Sequence, residues 1–456
     1  MISPLSLAQL QQRFGGELIN GSVTFDRVCT DTRKLDPAAL FVALRGENFD
    51  AHEFLPEIDG NALGLVTEKA IEGTSLPQWV VTDTTVAMGQ IGRLCREQFD
   101  GPVIGITGSC GKTTVKEMLS AIFGQRHQVC VTQGNLNNHF GVPMTLLSLA
   151  PDDEVLIVEM GASGPNEIGY LCGIAKPEIA AVNNVMPAHV EGFGSIDGIA
   201  TAKGQIYTTL APGSTAVINA DDNYADYWRG ELPEGVQKIE VGLGNQRNVH
   251  AENIHMADDG CAGFDLVIES VSHPVQLKLL GEHNVHNALV AAGCAYAAGI
   301  PVNEIAAGLS SSLGVGGRLQ TLAGIAGAAV IDDSYNANPG SVGAAIALLA
   351  QRKGKKILVL GDMAELGPEA DQAHRDMGQL ARERGIDQLF TLGTLSVAAG
   401  VSFAAGREHV HKHFSDRDAL VKALVPELDG NTTVLVKGSR SARMELVAQA
   451  LTNGNQ

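Results

Sequence analysis

The chain has 456 residues, of which 45% are hydrophobic and 18% charged, and its formal net charge is -19. This length exceeds what one hydrophobic core usually organises, so we expect about three domains of roughly 150 residues each. The negative charge and the lack of a Lys/Arg-rich block argue against nucleic acid as a partner, because nucleic-acid binding depends on neutralising phosphates. An anionic substrate must therefore be held by local groups such as helix N-termini, backbone amides, single basic side chains and metal ions.

The cysteines and the apolar segments bear on where the protein works. The seven cysteines are scattered and never spaced as Cys-x-x-Cys, which disfavours both a disulfide framework and a zinc site. The N-terminus lacks the basic start, apolar stretch and cleavage site of a secretory signal. The longest nearly unbroken apolar run, Ala288 to Val302, is too short for a membrane span. We therefore expect a cytoplasmic protein with no membrane span.

Residues 1 to 99 are predicted to form a small N-terminal α/β domain. They combine turn-rich pieces with short apolar strands and end in an amphipathic helix. The predicted elements are strands Leu40–Leu44, Gly64–Val66 and Trp79–Val81 and helix Thr84–Phe99.

Residues 100 to 314 are predicted to form a central domain on a parallel sheet, because apolar strands alternate with helices there. Its predicted elements are strands Val103–Thr107, Val155–Met160, Ala180–Val185 and Ala216–Asn219 and helix Thr113–Phe123. A glycine-rich joint at 314–317 precedes residues 315 to 456, where a second strand and helix series predicts a Rossmann-like, doubly wound domain. The elements predicted there are strands Ala328–Asp332, Lys356–Leu360, Gln388–Leu392 and Thr433–Val436 and helices Gly340–Gln351 and Asp371–Arg384.

A phosphate-binding loop follows the first strand of the central domain. The loop reads Gly108-Ser109-Cys110-Gly111-Lys112-Thr113-Thr114 and is followed by a helix with an apolar face. Its glycines let backbone N–H groups turn toward an anion, Lys112 can reach terminal phosphates, and Thr113 can ligate magnesium. The strict pattern would place another glycine where Ile106 stands, so the loop is a variant that begins at Gly108.

Two side chains near the predicted carboxyl edge of the central sheet can bind a metal ion. Glu159 ends the second strand of this domain, and His189 follows the third. A carboxylate and an imidazole beside a phosphate loop could complete the shell of a hard cation. Taken alone, a glutamate at a strand end is more often a solvated loop residue, and a lone histidine is more often structural. Composition alone makes Lys203 an exposed helix lysine.

These residues, together with several longer motifs, resemble the Mur ligase family. The stretch from Ile106 to Thr114, followed by Glu159 and His189, is similar to the central domain of that family. The segments that resemble its MurF branch are residues 134–143, 332–339, 360–367 and 436–441. Residues 31–34 and 40–46 resemble the part of that branch that holds the UDP-sugar. The resemblance covers nearly the whole chain.

The resemblance implies an ATP-dependent amide ligase of peptidoglycan precursor synthesis that joins D-alanyl-D-alanine to UDP-N-acetylmuramoyl-tripeptide. A carboxylate is a poor electrophile, so the γ-phosphoryl group of ATP would first be transferred to it. An amine would then attack the acyl phosphate, and ADP and phosphate would leave. The resemblance also implies two Mg²⁺ ions, held by Thr113, Glu159, His189 and a carbamylated Lys203, whose carbamate would be an anion. We expect a monomer.

The resemblance further implies which residues contact each ligand. The residues implied in catalysis are Lys112, Glu159, His189 and Lys203. Those implied at ATP are Gly108, Ser109, Cys110, Gly111, Lys112, Thr113, Thr114, Asn284, Asn287, Arg318, Asp333, Tyr335 and Asn336. Those implied at the substrates are Asp31, Thr32, Arg33, Gly46, Asn135, Asn137, Asn138, Asn338, Lys437 and Ser439. The chain departs from the family pattern at Gln205, where relatives commonly carry Glu. Because the ATP residues fall on both sides of the joint, domain closure is expected to complete the site.

Three other interpretations compete with this one. A motor, transporter or switch NTPase is disfavoured because no central strand ends in Asp after four apolar residues. A non-catalytic nucleotide-binding regulator is disfavoured because it would not need the intact Lys112, Glu159 and His189. A sister ligase that adds a single amino acid, or extends folate with glutamate, stays open, and a substrate panel would separate it.

Overall fold

The computed structural model describes residues 1–46, 49–58, 60–187, 190–407 and 410–452. Three α/β units follow one another along the chain, each built on its own sheet. Short 3₁₀ turns lie at Thr32–Lys34, Ala51–Glu57, Ile325–Gly327, Gly367–Glu369, Val425–Glu427 and Arg440–Ala442. Among the helices of these ranges, none combines the length and the apolar character needed to cross a lipid bilayer.

The N-terminal unit contains a five-stranded sheet and a small two-stranded ribbon. Its elements are β1 (Leu5–Ser6), α1 (Leu7–Phe14), β2 (Glu17–Ile19), β3 (Thr24–Phe25), β4 (Val28–Cys29), β5 (Leu40–Val42), β6 (Gly64–Thr67), β7 (Gln78–Val80) and α2 (Thr84–Arg96). The strand order is β2-β7-β6-β5-β4, with β2 antiparallel to β7 and the other pairs parallel. The Asp83 carboxylate caps α2 by accepting from the Thr85 and Val86 amides. The helix ends at Arg96 rather than the predicted Phe99, because the amides of Gln98 and Phe99 bond back over only three residues.

The central unit carries a nine-stranded sheet with helices on both faces. Its elements up to the fifth strand are β8 (Val103–Thr107), α3 (Lys112–Phe123), β9 (Val129–Val131), α4 (Gly141–Leu147), β10 (Val155–Glu159), α5 (Glu167–Ala175), β11 (Ile179–Val182), α6 (Val190–Phe193), α7 (Ile196–Thr208) and β12 (Thr215–Asn219). The remainder are α8 (Ala225–Gly230), β13 (Gln237–Gly242), β14 (Val249–Met256), β15 (Cys261–Ile268), β16 (Val271–Leu280), α9 (His283–Ala297) and α10 (Val302–Ser311).

The central sheet has the strand order β16-β15-β14-β13-β12-β11-β8-β10-β9. The pairs from β9 to β14 are parallel, as predicted, but β14, β15 and β16 pair antiparallel. These antiparallel strands were not predicted. One apolar cluster packs α3, α9 and α10 on one face, and a second packs α4, α5, α7 and α8 on the other.

Arg96 ties the N-terminal unit to the central sheet. Its guanidinium donates to the carbonyl oxygens of Phe99 at 2.8 Å and Ala175 at 2.9 Å, and to the Glu178 carboxylate at 2.7 Å. The other carboxylate oxygen of Glu178 accepts from the Val103 amide, at the first residue of β8. The contact therefore runs from α2 to the strand that carries the phosphate loop.

The C-terminal unit is a six-stranded, doubly wound sheet. Its elements are β17 (Gln320–Ala323), β18 (Ala329–Asp333), α11 (Pro339–Ala350), β19 (Lys355–Gly361), α12 (Ala370–Glu383), β20 (Gln388–Leu392), α13 (Val397–Ala404), β21 (His411–Phe414), α14 (Arg417–Leu424), β22 (Thr432–Lys437) and α15 (Glu445–Thr452). The order is β17-β18-β22-β19-β20-β21, and only β17 is antiparallel to its neighbour. Helices α11 to α13 cover one face, and α14 and α15 cover the other.

Candidate functional site

A cleft of about 690 Å³ lies between the central and C-terminal sheets. Residues that follow β8, β10, β11 and β12 line its central side, together with the first turn of α9. The ends of β18 and β22 line the opposite side. The cleft therefore lies at the carboxyl edges of two parallel sheets, where open α/β folds bind ligands.

Most of the residues implied at ATP and at the substrates meet in this cleft. Those that line it are Ser109, Cys110, Gly111, Lys112, Thr113, Thr114, Asn135, Asn137, Asn138, Glu159, Asn284, Asn287, Arg318, Asp333, Tyr335, Asn336, Asn338 and Lys437. Gly108, Lys203 and Ser439 are buried beside these residues without lining the cleft. Asp31, Thr32, Arg33 and Gly46 belong to the N-terminal unit and do not line it either. His189 lies outside the described residues.

The phosphate loop has a backbone that requires glycine. Gly111, which precedes α3, has φ of 76°, and a Cβ there would lie 2.4 Å from the Asn287 Oδ1 atom. Lys112 begins the helix, and its Nζ donates to the Gly108 carbonyl at 2.7 Å. Burial lowers the pKa of Lys112, and the Glu159 carboxylate opposes that effect. The loop thus presents amides, a helix N-terminus and an amine to the cleft.

Two asparagines that the sequence interpretation missed shape the loop from the neighbouring strand. Asn184 accepts from the Cys110 amide at 2.9 Å, and Asn183 donates to the Cys110 carbonyl at 2.8 Å. Asn183 also donates to Asn287 at 2.8 Å, which links the loop to α9. The available signal was their position, since both directly follow β11 at the carboxyl edge of the sheet.

Glu159 is a buried carboxylate with neutral hydrogen-bond partners. It is 2% exposed and accepts from the Thr113 hydroxyl and the Asn137 amide, each at 2.8 Å. Among the described residues, only these two groups donate to its carboxylate, and no three His, Cys, Asp or Glu side chains form a metal-binding cluster. Mg²⁺ commonly takes only one or two protein ligands beside substrate phosphates, so Thr113 and Glu159 suit that ion.

Arg318 reaches the phosphate loop from the C-terminal side of the cleft. Its guanidinium stacks on the Tyr335 ring at 4.1 Å and donates to the Thr113 hydroxyl at 2.9 Å. Deeper in the same unit, the Lys437 amine lies 2.5 Å from the Asp333 carboxylate. Burial raises the pKa of Asp333, and Lys437 acts against this effect.

Lys203 is not the exposed lysine that composition alone predicts. It is 2% exposed on α7, and its Nζ lies 5.6 Å from the centre of the Phe193 ring. Within the described part of the chain, its amine has no hydrogen bond and no ion pair. Burial, and then the charge of Lys112, lower its pKa from 10.5 to about 7. A buried amine of this kind is uncharged much of the time at neutral pH.

The remaining motif residues stabilise local turns. Asp31 caps the turn at Thr32–Lys34 and holds Arg33 through both carboxylate oxygens, at 2.8 and 2.9 Å. This contact lowers the pKa of Asp31. Asp362 accepts from three successive amides at 394–396. Ser439 accepts from the Ala364 amide at 2.8 Å and so connects two loops at the carboxyl edge of the sheet.

Comparisons with known proteins agree with this geometry. The family model for the Mur ligase middle domain matches residues 106–295, and that for the Mur ligase, glutamate ligase domain, matches residues 317–440. The chain is 42% identical to the UDP-N-acetylmuramoyl-tripeptide--D-alanyl-D-alanine ligase of Escherichia coli, with 99% of each chain covered. It is 38% identical to the enzyme of that name from Haemophilus influenzae, with 98% of each chain covered.

Solved structures are similar along nearly the whole chain. MurF from Acinetobacter baumannii superposes with a TM-score of 0.91 at 35% identity, with 99% of each chain covered. MurF from Thermotoga maritima in complex with ADP gives a TM-score of 0.84 at 25% identity, with 94% of this chain and 97% of that chain covered. The predicted fold class, three α/β units with a parallel-sheet centre, is confirmed.

Proposed function

This chain belongs to the Mur ligase family, and we propose that it joins D-alanyl-D-alanine to UDP-N-acetylmuramoyl-tripeptide with cleavage of ATP to ADP and phosphate. The observation that carries the proposal is the similarity, over nearly the whole chain, to UDP-N-acetylmuramoyl-tripeptide--D-alanyl-D-alanine ligases. The cleft is consistent with it, because the phosphate loop there faces the edge of the C-terminal sheet. A peptide ligase needs such a cleft because nucleotide, carboxylate and amine must meet in one place.

The residues of the cleft divide the chemistry between them. The amides of the phosphate loop and Lys112 are proposed to hold the ATP phosphates. Asn284 and Asn287, the stacked pair of Arg318 and Tyr335, and Asp333 with Asn336 are proposed to hold the rest of the nucleotide. The tripeptide carboxylate takes the γ-phosphoryl group and becomes an acyl phosphate, which the dipeptide amine attacks. Exclusion of water by the two facing units protects that reactive intermediate.

Thr113 and Glu159 are proposed to hold a magnesium ion at the phosphates. Their oxygens lie 2.8 Å apart, and the Glu159 charge has no cationic partner among the described residues. The ion supplies charge neutralisation at the phosphoryl oxygens when it is bound. A ligand role for His189, which lies outside the described residues, stays a prediction.

Lys203 is proposed to carry a carbamate. Carbon dioxide adds to an uncharged amine, and the Lys203 amine, which is buried and has no partner among the described residues, meets that requirement. The product is an anion, which a second magnesium ion could accept as a ligand where an ammonium group would repel it.

The substrates are proposed to enter from both sides of the central unit. Asp31, Thr32, Arg33 and Gly46 would hold the UDP-sugar, and the remaining substrate residues would hold the peptides. Those peptide residues are Asn135, Asn137, Asn138, Asn338, Lys437 and Ser439. We also propose that the protein is a monomer, since one chain supplies both sides of the cleft. We propose that it works in a reducing cytoplasm, since all seven cysteines are free.

A phosphate-release assay tests the function directly. UDP-N-acetylmuramoyl-tripeptide and D-alanyl-D-alanine are supplied with ATP, first separately and then together. Sustained release only with both acceptors is the expected result. Equal release without the dipeptide would indicate an NTPase of another kind, and release with single amino acids instead of the dipeptide would indicate a sister ligase.

A further inference from the structure

One carboxylate of the cleft, Glu167, has no role in the chemistry described above. It lies in the first turn of α5, on the connection that begins at Glu159, and it is half-buried. Its Oε2 atom accepts from the Ser163 amide at 3.0 Å, which fixes the direction of the side chain. Its Oε1 atom has no hydrogen-bond donor among the described residues, so one oxygen is available to a ligand.

Three of the other carboxylates that line the cleft are already engaged. Glu159 is shared by a hydroxyl and an amide at the proposed magnesium site. Asp222 accepts from two backbone amides, one on each oxygen, at 2.8 and 2.9 Å. Asp333 is paired with Lys437. Glu159 is therefore assigned to the proposed metal ion, and each oxygen of Asp222 and Asp333 already has a donor, whereas Glu167 keeps one oxygen without a donor among the described residues.

Asp221 is the remaining cleft carboxylate, and it lies on the nucleotide side of the cleft, away from the proposed magnesium site. It follows β12, where it accepts from the Leu243 amide at 2.7 Å and lies 3.6 Å from the His286 ring. That side adjoins the start of α9, where the rest of the nucleotide is proposed to bind. Glu167 instead follows β10, the strand of the proposed magnesium ligand.

Gln205 holds the turn that carries Glu167. Its amide donates to the Asn166 side chain at 2.9 Å and accepts from the Gly169 amide at 3.0 Å. A glutamate at this position could accept from Gly169 but could not donate to Asn166. Gln205 therefore supports the turn that carries Glu167 through both ends of its side-chain amide. The Glu167 carboxylate is also close enough to influence Lys203, which lies on the same helix as Gln205. Burial and the charge of Lys112 lower the pKa of Lys203, and the negative charge of Glu167 acts against that shift.

We propose that Glu167 binds the ammonium group of the incoming dipeptide and accepts its proton. The inference rests on the proposed function, in which an amine attacks an acyl phosphate. A terminal amine with an ordinary pKa of about 7.7 to 8.0 arrives mostly protonated at pH 7, without the lone pair that attack requires. Exclusion of water from the closed cleft disfavours both the ammonium group and the carboxylate in their charged forms. Proton transfer from the ammonium to the carboxylate is favoured there because both groups become neutral.

The step balances without any further reagent. The freed lone pair on nitrogen forms the C–N bond to the acyl carbon. The C–O bond to the phosphoryl group then breaks, and its electron pair leaves with the phosphate. The second proton lost from nitrogen as the amide forms is taken by the departing phosphate.

The test separates the two halves of the reaction in the full-length enzyme and in the variant Glu167→Gln. Acyl phosphate formation is followed by exchange of a heavy-oxygen label from the β,γ-bridge of ATP, with UDP-N-acetylmuramoyl-tripeptide and no dipeptide. Ligation is followed by phosphate release that depends on D-alanyl-D-alanine. Hydroxylamine, which is already uncharged at neutral pH, serves as an alternative nucleophile. Glu231→Gln, at an exposed position outside the cleft, is the matched control.

Glu167→Gln should keep the isotope exchange and the hydroxylamine reaction within about threefold of wild type. Its kcat/KM for the dipeptide should fall by about a hundredfold or more, the usual contribution of a positioned proton acceptor. Isotope exchange that falls as far as ligation would place Glu167 in the first half-reaction and overturn the inference. A raised KM for the UDP-tripeptide, with the dipeptide unaffected, would overturn it by assigning the carboxylate to that substrate. Wild-type enzyme without any dipeptide-dependent release would instead refute the proposed function.

Discussion

The protonation state of Lys203 predicts how the proposed carbamylation of this lysine should depend on pH. Lowering the pKa from 10.5 to about 7 raises the uncharged fraction of this amine at pH 7 from roughly 1 in 3,000 to about one half. Only that fraction adds carbon dioxide. Enzyme depleted of carbon dioxide should therefore regain activity on addition of bicarbonate, and the regained activity should increase with pH through about 7. An ordinary lysine would require a pH above 10 for the same effect.

Two measurements check this expectation. Carbon-13 NMR with labelled bicarbonate should show one carbamate signal that is missing from Lys203→Ala. The variant should be nearly inactive, and formate should restore part of its activity by occupying the proposed metal site in place of the proposed carbamate. A full carbamate signal in the variant, or a variant with activity within tenfold of wild type, would refute the assignment of Lys203.

Stability provides a third measurement that does not depend on activity. The folded-state pKa of Lys203 lies below its unfolded value, so the unfolded chain binds this proton more tightly. The lysine therefore costs stability below about pH 7, by at most about 5 kcal/mol, and the cost disappears as the pH rises toward 10.5. Lys203→Met should raise the free energy of unfolding at low pH. Lys116→Met is the control, because Lys116 is equally buried but donates to the Thr132 carbonyl at 2.7 Å, and its loss should destabilise the fold.

Further predictions concern the phosphate loop, the interface of Arg96 and the joint. Lys112→Ala should lower kcat at least about a hundredfold while the enzyme stays folded, because the amine acts on the ligand; phosphate release within tenfold of wild type would contradict this. Arg96→Leu should cost about 1–3 kcal/mol in urea unfolding, because it leaves three backbone carbonyls and one oxygen of the half-exposed Glu178 carboxylate without their donor. Arg93→Leu, which removes only a partly exposed ion pair, should cost less than about 1 kcal/mol. Gly316→Pro should lower turnover more than nucleotide affinity, and scattering should show a smaller radius of gyration once UDP-N-acetylmuramoyl-tripeptide and a nonhydrolysable ATP analogue are both bound. Identical scattering with and without ligands would argue against closure.

The parallel part of the fold could be predicted because its strands are buried on both faces. Such strands appear in the sequence as short continuous apolar runs, as in 103–107, 155–159 and 432–437. The strands and helices predicted from these runs agree with the structure to within a few residues at each end. Several residues that line the cleft lie at strand ends, so the position of Glu159 followed from the same reasoning.

The antiparallel strands β14 to β16 could not be predicted from that pattern. Strand β16 alternates between exposed and buried residues in its second half, because one face packs on α10 and the other faces solvent. A proline at 274 and polar residues at 272 and 273 weaken the strand pattern further. Burial of Lys203 was equally hidden, since it depends on how α7 packs against α5 and β11, which is a tertiary property.

The cleft provides local positive charge for an anionic substrate on a chain whose net charge is -19. Two of its cations already face oxygens of the chain, Lys112 the Gly108 carbonyl and Arg318 the Thr113 hydroxyl. Folding has therefore already oriented these side chains, and a phosphate replaces neutral oxygens with charged ones. The Thr113 hydroxyl accepts a hydrogen bond from Arg318 of the C-terminal unit and donates one to Glu159 of the central unit. The hydroxyl proposed to bind magnesium therefore also contacts the C-terminal unit. A metal ion bound by Thr113, as proposed, would compete with Arg318 for this hydroxyl oxygen, so occupancy of the phosphate loop would act on the contact that holds the C-terminal unit.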